Sequence, residues 1–371
     1  MIVDSHAYCF TAPDTRAGHA TVAEHMAFWQ RQYALHHQPA FRVRDRAPGD
    51  SRQLLAPTAS DPLGLAAGRN FRVDRTTNRL VWTVDGDDYT KQQLPPNVVE
   101  FGPGSLIAEM DHAGVDWALI HVDATLTKDP EYLRSCVKAF PTRLRSMAPI
   151  DEWLIPTQPD AAIQQAVDAV QKYGLHALKI IPAFAYQRTS ATSFDDPAWR
   201  PFWDAVTKLG VPFFFTLGAS PGSTDARQGF IQELWVLRRW LDRYPHVTAS
   251  VTHGFPWRDF LEGDRFALPE SMWVPFADSS LCLEVGFPFR IGDLFDYPYR
   301  PCWPVVEAMA KHIGPERLMW GTDMPFQNRF CTYRQSRDYL EKYPRALLSP
   351  GDLAQIMGGT AARILGLSRP K

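Results

Sequence analysis

Short apolar runs recur along this chain, and most of them alternate with segments of helical periodicity. The first is residues 2–10 (IVDSHAYCF), a strand that sends His6 and Tyr8 to the same face, because alternate side chains of a strand share a face. A helix is expected over 21–33, with Thr21 as N-cap and Glu24 three residues on. Residues 40–94 break the rhythm; rich in Pro, Arg and Asp, they offer strand signals at 71–73 and 79–83 and a turn at Asp85-Gly86. Trp82 and Tyr89 in this stretch favour an ordered cap over a barrel mouth, or an oligomer contact, over a disordered linker.

From Gly102 the alternation is regular. Strands are expected over 117–121, 144–148, 177–181, 212–217, 247–251, 281–285 and 318–320, with helices over 105–112, 131–140, 159–173, 199–209, 230–244 and 304–313. Two short helices, 353–357 and 360–365, close the chain. Counting from residue 2 there are eight strands, most of them continuously apolar, as a parallel sheet buried on both faces requires. This predicts an α/β protein: one domain over 1–371, a distorted (β/α)8 barrel with residues 40–94 inserted after its first strand. An open doubly wound sheet is the weaker alternative, because no Gly-x-Gly-x-x-Gly follows the first strand.

Composition narrows the partners. Thirty-nine Lys and Arg against 41 Asp and Glu give no basic field for nucleic acid. No run reaches the ~18 apolar residues of a membrane span, and no leader is evident at the N-terminus. Five scattered cysteines read as reduced thiols, so a cytoplasmic protein acting on a small molecule is expected, alone or in a homo- or hetero-oligomer.

The chemistry gathers where the strands end. Strand one gives His6 and Tyr8, strand two His121 with Asp123 beyond it, strand four Lys179 and strand five Thr216. Strand six ends in Thr252-His253-Gly254, strand seven carries Glu284, and strand eight ends in Gly321-Thr322-Asp323. A parallel barrel builds its active site at this rim, and imidazoles and carboxylates converging there suit a metal site or an acid/base pair. Read singly, each has a structural alternative: His121 as a cap, Lys179 and Glu284 as ion-pair partners.

Asp4-Ser5-His6-Ala7-Tyr8, Thr252-His253-Gly254, Gly321-Thr322-Asp323-Met324-Pro325 and the tail Gly358-Gly359-Thr360-Ala361-Ala362-Arg363-Ile364-Leu365 resemble the amidohydrolase-related family. That family includes amino-carboxymuconate-semialdehyde decarboxylase, resorcylate-type decarboxylases and pyrone-dicarboxylate lactonase. The resemblance implies a distorted TIM barrel holding a divalent metal on a His-x-His pair of strand one, a histidine ending strand five and an aspartate after strand eight. His6 and Asp323 match those ligands, and His253 matches the family's strand-six histidine. Tyr8 and Thr216 stand where two ligating histidines belong.

Replacing imidazoles by a phenol and carboxylates shifts the donor set toward hard oxygen, which suits iron or manganese better than zinc. The favoured expectation is therefore a dinuclear iron or iron–manganese monooxygenase, as in a diverged branch the chain resembles. Its metal set would be His6, Tyr8, His121, His253, Glu284 and Asp323, with His253, Asp323 and Lys179 as catalytic groups. Phe184, Tyr186, Phe287, Phe289 and Arg290 would line a pocket for a carboxylate-bearing substrate, beside Tyr299 and Trp303. The close alternative is a mononuclear hydrolase or non-oxidative decarboxylase, with zinc among the metals. A third reading is a non-catalytic partner subunit whose metal site has decayed. No Gly-x-Ser-x-Gly elbow supports a serine hydrolase.

Overall fold

The computed structural model describes residues 1–371 apart from Ser60, Pro62, Phe287, Arg345, Ala346 and 369–371. Eight parallel strands follow one another in one sheet: β1 Val3–Tyr8, β2 Trp117–His121, β3 Leu144–Ala148, β4 Ala177–Ile180, β5 Phe213–Phe215, β6 Ala249–Val251, β7 Cys282–Val285 and β8 Leu318–Trp320. Their spatial order is their order in the chain, as right-handed crossovers through helices produce. The ring closes through the segment after β8, where the Tyr8 amide donates to the Met324 carbonyl (2.8 Å) and the Asp323 amide to the His6 carbonyl (2.8 Å). All six residues of β1 are buried, and β2, β4, β5, β6, β7 and β8 are buried throughout.

The contacts divide the chain into two compact units. The barrel unit comprises Met1–Tyr8, Ile107–Val122 and Pro130–Lys371, and the second unit Cys9–Leu106 and Asp123–Asp129. The second unit is built on the helix Val22–Leu35, whose Thr21 cap accepts from the Glu24 amide, and a five-stranded antiparallel sheet. That sheet runs Pro48–Gly49, Ala40–Arg42, Asp87–Lys91, Arg79–Val84, Arg72–Asp74. Asp85 and Gly86, both at positive φ (50° and 84°), form the two-residue turn between Arg79–Val84 and Asp87–Lys91. Two positive φ values in such a turn match the right-handed twist of the flanking strands. Lys91 is buried there, its ammonium donating to the Tyr33 carbonyl and the Ser51 hydroxyl (2.7 Å each) and to the His36 carbonyl. The unit thus begins well before residue 40.

Among the described residues, no helix is long and apolar enough to cross a membrane. All five cysteines are buried and unbridged.

Candidate active site

Strand periodicity sets the first pair. His6 and Tyr8 leave the same face of β1, and the His6 Nε2 lies 2.9 Å from the Tyr8 hydroxyl. On its other side the ring presents Nδ1 to Oε2 of Glu284 on β7, at 2.8 Å. That same Oε2 accepts the backbone N–H of His253 (2.7 Å), so Glu284 joins the ends of β1, β6 and β7. Burial pushes the Glu284 carboxyl well above the usual range, opposed by the His253 amide and Lys179.

β8 comes against β1 closely because residue 321 is glycine. A Cβ there would sit 2.9 Å from the His6 Cβ and 3.0 Å from the Ser5 hydroxyl. This approach delivers Asp323, whose Oδ1 lies 3.1 Å from the His6 Nε2 and 3.3 Å from the His253 Nε2. Oδ1 is nevertheless buried without a hydrogen-bond partner. Both His253 and Asp323 are held in the left-handed region, at φ 66° and 64°, a conformation disfavoured for side chains with a Cβ and concentrated at functional sites.

Three cationic side chains surround the aspartate. Lys179 on β4 is buried with its ammonium 3.0 Å from the Tyr8 hydroxyl and 5.2 Å from the centre of its ring. Arg290, in the short helix Pro288–Ile291 after β7, puts a guanidinium nitrogen 3.0 Å from the His253 Nδ1. Its Nε is buried with no hydrogen-bond partner. Arg329 donates to the carbonyls of Phe326 (2.9 Å) and Phe289 (3.2 Å), and its charge favours an ionised Asp323. Burial pushes Asp323 up to about 6, against the pull of Arg290, Lys179 and Arg329. The imidazoles of His6, His121 and His253 are held well below their ordinary value, first by burial and then by neighbouring positive groups.

Two trios of ligand atoms result, His6–His253–Asp323 and His6–His121–Glu284, each with its atoms within 4.8 Å of one another. They are not equivalent. In the second, the His121 Nε2 donates to the Ser5 carbonyl at 2.7 Å and the Glu284 Oε2 already meets two nitrogens. The His121 ring stacks on that of His6, with centroids 3.4 Å apart, and its Nδ1 has no partner. In the first, an orphaned carboxylate oxygen and two ring nitrogens converge without hydrogen bonds between them. A buried group left unsatisfied is costly, and a divalent cation held by the carboxylate and imidazole would relieve this one. The residues present therefore fit a divalent metal.

Sequence reading placed His6, Tyr8, His121, Lys179, His253, Glu284, Arg290 and Asp323 at one rim, and the structure brings them together. Phe289 joins them, its ring 5.1 Å from that of His253. The other expected aromatics make contacts of their own. The half-buried Tyr186 hydroxyl turns to Glu233 (3.3 Å) and the Phe194 amide (3.1 Å), partners that an enclosed phenol finds. Phe184 is buried with the Arg188 guanidinium over its ring, while Tyr299 packs edge-on to Tyr339 and Trp303 stacks with Tyr343. Phe287 lies outside the described residues. Thr216 spends its hydroxyl on Thr252, 2.7 Å away, and Asp123 accepts the Thr125 amide at 2.6 Å.

Sequence reading missed what lies beneath the site. Asp4 is fully buried and accepts from the amides of His6 (2.9 Å) and Thr322 (3.1 Å) and the hydroxyls of Thr322 (2.5 Å) and Tyr333 (2.6 Å), tying β1 to the end of β8. The only signal was its place inside Asp-x-His. Arg329 carried none.

Fold and site together define a metal-dependent enzyme built on a parallel barrel. The amidohydrolase family model matches residues 92–367, about three-quarters of the chain, and the chain belongs to that family. The gamma-resorcylate decarboxylase of Polaromonas sp. (strain JS666) is 24% identical over 305 residues, 70% of this chain and 86% of the relative. Among solved structures, a probable 2-pyrone-4,6-dicarboxylic acid hydrolase from Acinetobacter baumannii with citric acid bound superimposes with TM-score 0.54 at 13% identity, covering 72% of this chain and 90% of that one. A dihydroxybenzoic acid decarboxylase from Polaromonas sp. JS666, with manganese and the inhibitor 2-nitroresorcinol bound, gives TM-score 0.51 at 19% identity over 71% and 86%. These structures establish the barrel fold as shared.

Proposed function

We propose that this enzyme performs non-oxidative decarboxylation of a small carboxylate-bearing substrate with one divalent metal per chain. The observation that carries the reading is the buried, unpartnered Asp323 Oδ1 facing the His6 Nε2, with Arg290, Lys179 and Arg329 around it. His6 and Asp323 would hold the ion, with the Tyr8 hydroxyl at the adjoining position. A divalent ion bound there supplies Lewis-acid polarisation of a substrate oxygen. Arg290, whose Nε lacks a partner, and Lys179 provide the positive field that attracts and orients a carboxylate. In the reaction the bond from the carboxylate to its carbon breaks, CO2 leaves, and the electron pair left on carbon takes a proton. His253, turned toward Asp323 and beside Phe289, is placed to relay that proton from solvent or from an acidic group of the substrate, its own imidazole being held neutral by burial.

The O2-activating dinuclear reading favoured by the ligand substitutions draws no support from the relatives, whose named activities are decarboxylation and hydrolysis. The engagement of His121 and Glu284 in hydrogen bonds also argues for one ion over two. Purified protein supplied with manganese should bind about one equivalent and release CO2 from 2,6-dihydroxybenzoate or 5-carboxyvanillate, a rate lost at least ~100-fold in Asp323→Asn. Two irons per chain with substrate-dependent O2 uptake and no CO2 release would overturn it.

A further inference from the structure

β1 and β8 stand at the two ends of the strand order, and among the described residues no regular ladder pairs them. The two residues proposed to hold the ion lie on either side of that seam, His6 on β1 and Asp323 just past β8. Three main-chain bonds cross it, from the Tyr8 amide to the Met324 carbonyl (2.8 Å) and from the Thr322 (3.3 Å) and Asp323 (2.8 Å) amides to the His6 carbonyl. Between paired strands, register is fixed by a run of such bonds. Here side chains supply what the ladder does not. The Ser5 hydroxyl donates to the Trp320 carbonyl (2.9 Å), and Asp4 does the rest.

The Asp4 Oδ1 accepts the amides of both His6 (2.9 Å) and Thr322 (3.1 Å), so one atom sets how far apart the main chain stands on the two sides. Oδ2 accepts the hydroxyls of Thr322 (2.5 Å) and Tyr333 (2.6 Å). The Thr322 hydroxyl has a single proton to give, and Asp4 is the nearer acceptor, the His6 carbonyl standing 3.3 Å away. The same hydroxyl accepts the Met324 amide at 3.0 Å. Asp323, at φ 64°, thus lies between two residues gripped by one oxygen. Tyr333 reaches in from outside the sheet, as the first residue of the helix Tyr333–Glu341, whose start is fixed by a capping box of Thr332 and Gln335. Its ring lies 6.1 Å from that of Trp320 on β8, and the Trp320 indole N–H donates to the Ser336 carbonyl of the same helix (3.1 Å). Asp4, Thr322 and Tyr333 are all fully buried, so water does not compete for these bonds.

We propose that Asp4, Thr322 and Tyr333 are positioning residues, a clip that sets the gap between the His6 Nε2 and the Asp323 Oδ1, 3.1 Å here, and through it the affinity for a divalent ion. The inference rests on the reading of His6 and Asp323 as ligands and not on the reaction. The Asp323 Oδ1 has no hydrogen-bond partner, so its aim depends on the main chain that carries it. That main chain, residues 322–324, is what the clip holds. Metal–ligand distances are specific to within ~0.2 Å, so slack at Thr322 reaches the ion as a misplaced oxygen. Removing a group that orients a ligand commonly costs about 10- to 100-fold in metal affinity.

The test is calorimetric titration of manganese into the metal-free full chain, with melting curves of the same proteins before and after the metal is added. Thr322→Val keeps the side-chain shape without the hydroxyl and should bind manganese about 10- to 100-fold more weakly than the wild type. Thr322→Ser, which restores the hydroxyl, should return to within about threefold. Tyr333→Phe leaves three of the four donors to Asp4 and should lose about three- to tenfold. The rise in melting temperature on adding manganese should shrink in the same order. A part in holding the fold alone would lower the metal-free melting temperature and leave the affinities at the wild-type value. That result would overturn the proposal, as would Thr322→Ser binding as weakly as Thr322→Val. Should Thr322→Val not fold, Tyr333→Phe decides, wild-type affinity in it being the overturning result. A wild type that takes up no manganese would refute the metal reading and this inference with it, whereas equal binding by wild type and variants refutes the clip alone. Affinity is read without turnover, so the clip stands or falls separately from whether the chain proves to decarboxylate.

Discussion

Tyr8 is the residue on which this site departs furthest from the pattern it resembles. The hydroxyl touches both the His6 Nε2 (2.9 Å) and the Lys179 ammonium (3.0 Å). On the proposed function an oxygen in that position would complete a shell of harder donors, which would favour manganese or iron over zinc relative to an imidazole. Removing it in Tyr8→Phe should weaken manganese binding by about tenfold or more while leaving the fold intact, measured by titration calorimetry. Tyr8→His should instead raise zinc affinity; unchanged affinities in both variants would take Tyr8 out of the shell. His6, Tyr8, His253 and Asp323 were legible in the sequence because each sits at a strand end beside a recognisable neighbour. The contacts of Glu284 and Arg290 were not, since which histidine atoms they meet depends on donors brought in by other strands. Tyr186 shows the same dependence: an aromatic after a strand can turn its hydroxyl to a pocket or to a partner, and Glu233, from the helix after β5, takes this one.

At the level of elements, apolar runs and helix stops carried nearly the whole barrel. Gly114, Gly174 and Gly210, which lie just past three of the expected helices, sit at positive φ, and β8 appears with the bounds read from sequence. The second unit was the weak point. Its strands are short and polar, so alternation marked only the stretch around Asp85-Gly86 and missed where the unit begins. The helix Ala226–Arg243 carries a buried Glu233 that accepts from Ser220 (2.9 Å) and Tyr186 (3.3 Å), joining the loops after β4 and β5. Burial raises this carboxyl from 4.5 to about 7. A raised carboxyl means the folded chain holds the proton more tightly than the unfolded one. Its stabilising effect is therefore complete below about pH 4.5 and is lost as pH rises through about 7. Glu233→Gln should remove that dependence, and on the order of 3 kcal/mol is at stake. Thermal melts of both proteins at pH 5 and pH 8 should show the variant gaining on the wild type at the higher pH. An equal difference at both would mean the carboxyl does not titrate with folding.

For the molecule as a whole, the proposed function and the stability of the metal-free fold pull against each other at Asp323. The residue sits at φ 64°, where asparagine is more readily accommodated than most side chains, and keeps a buried oxygen without a partner. Both features cost free energy in the metal-free protein, each of order 1–3 kcal/mol. On the proposed function a bound ion would recover that cost: a ligand that binds only the folded chain stabilises it by about 2.7 kcal/mol at a hundred times its dissociation constant. Asp323→Asn should therefore melt higher than the wild type when both are stripped of metal by a chelator. On adding manganese the order should reverse, with the wild type rising and the variant standing still. Melting curves of the two proteins, with chelator and with manganese, test both halves at once. If Asp323→Asn were the less stable protein without metal, Asp323 would be holding the barrel end together through contacts of its own, and the unmet hydrogen-bonding capacity of its Oδ1 would not be the mark of an ion site.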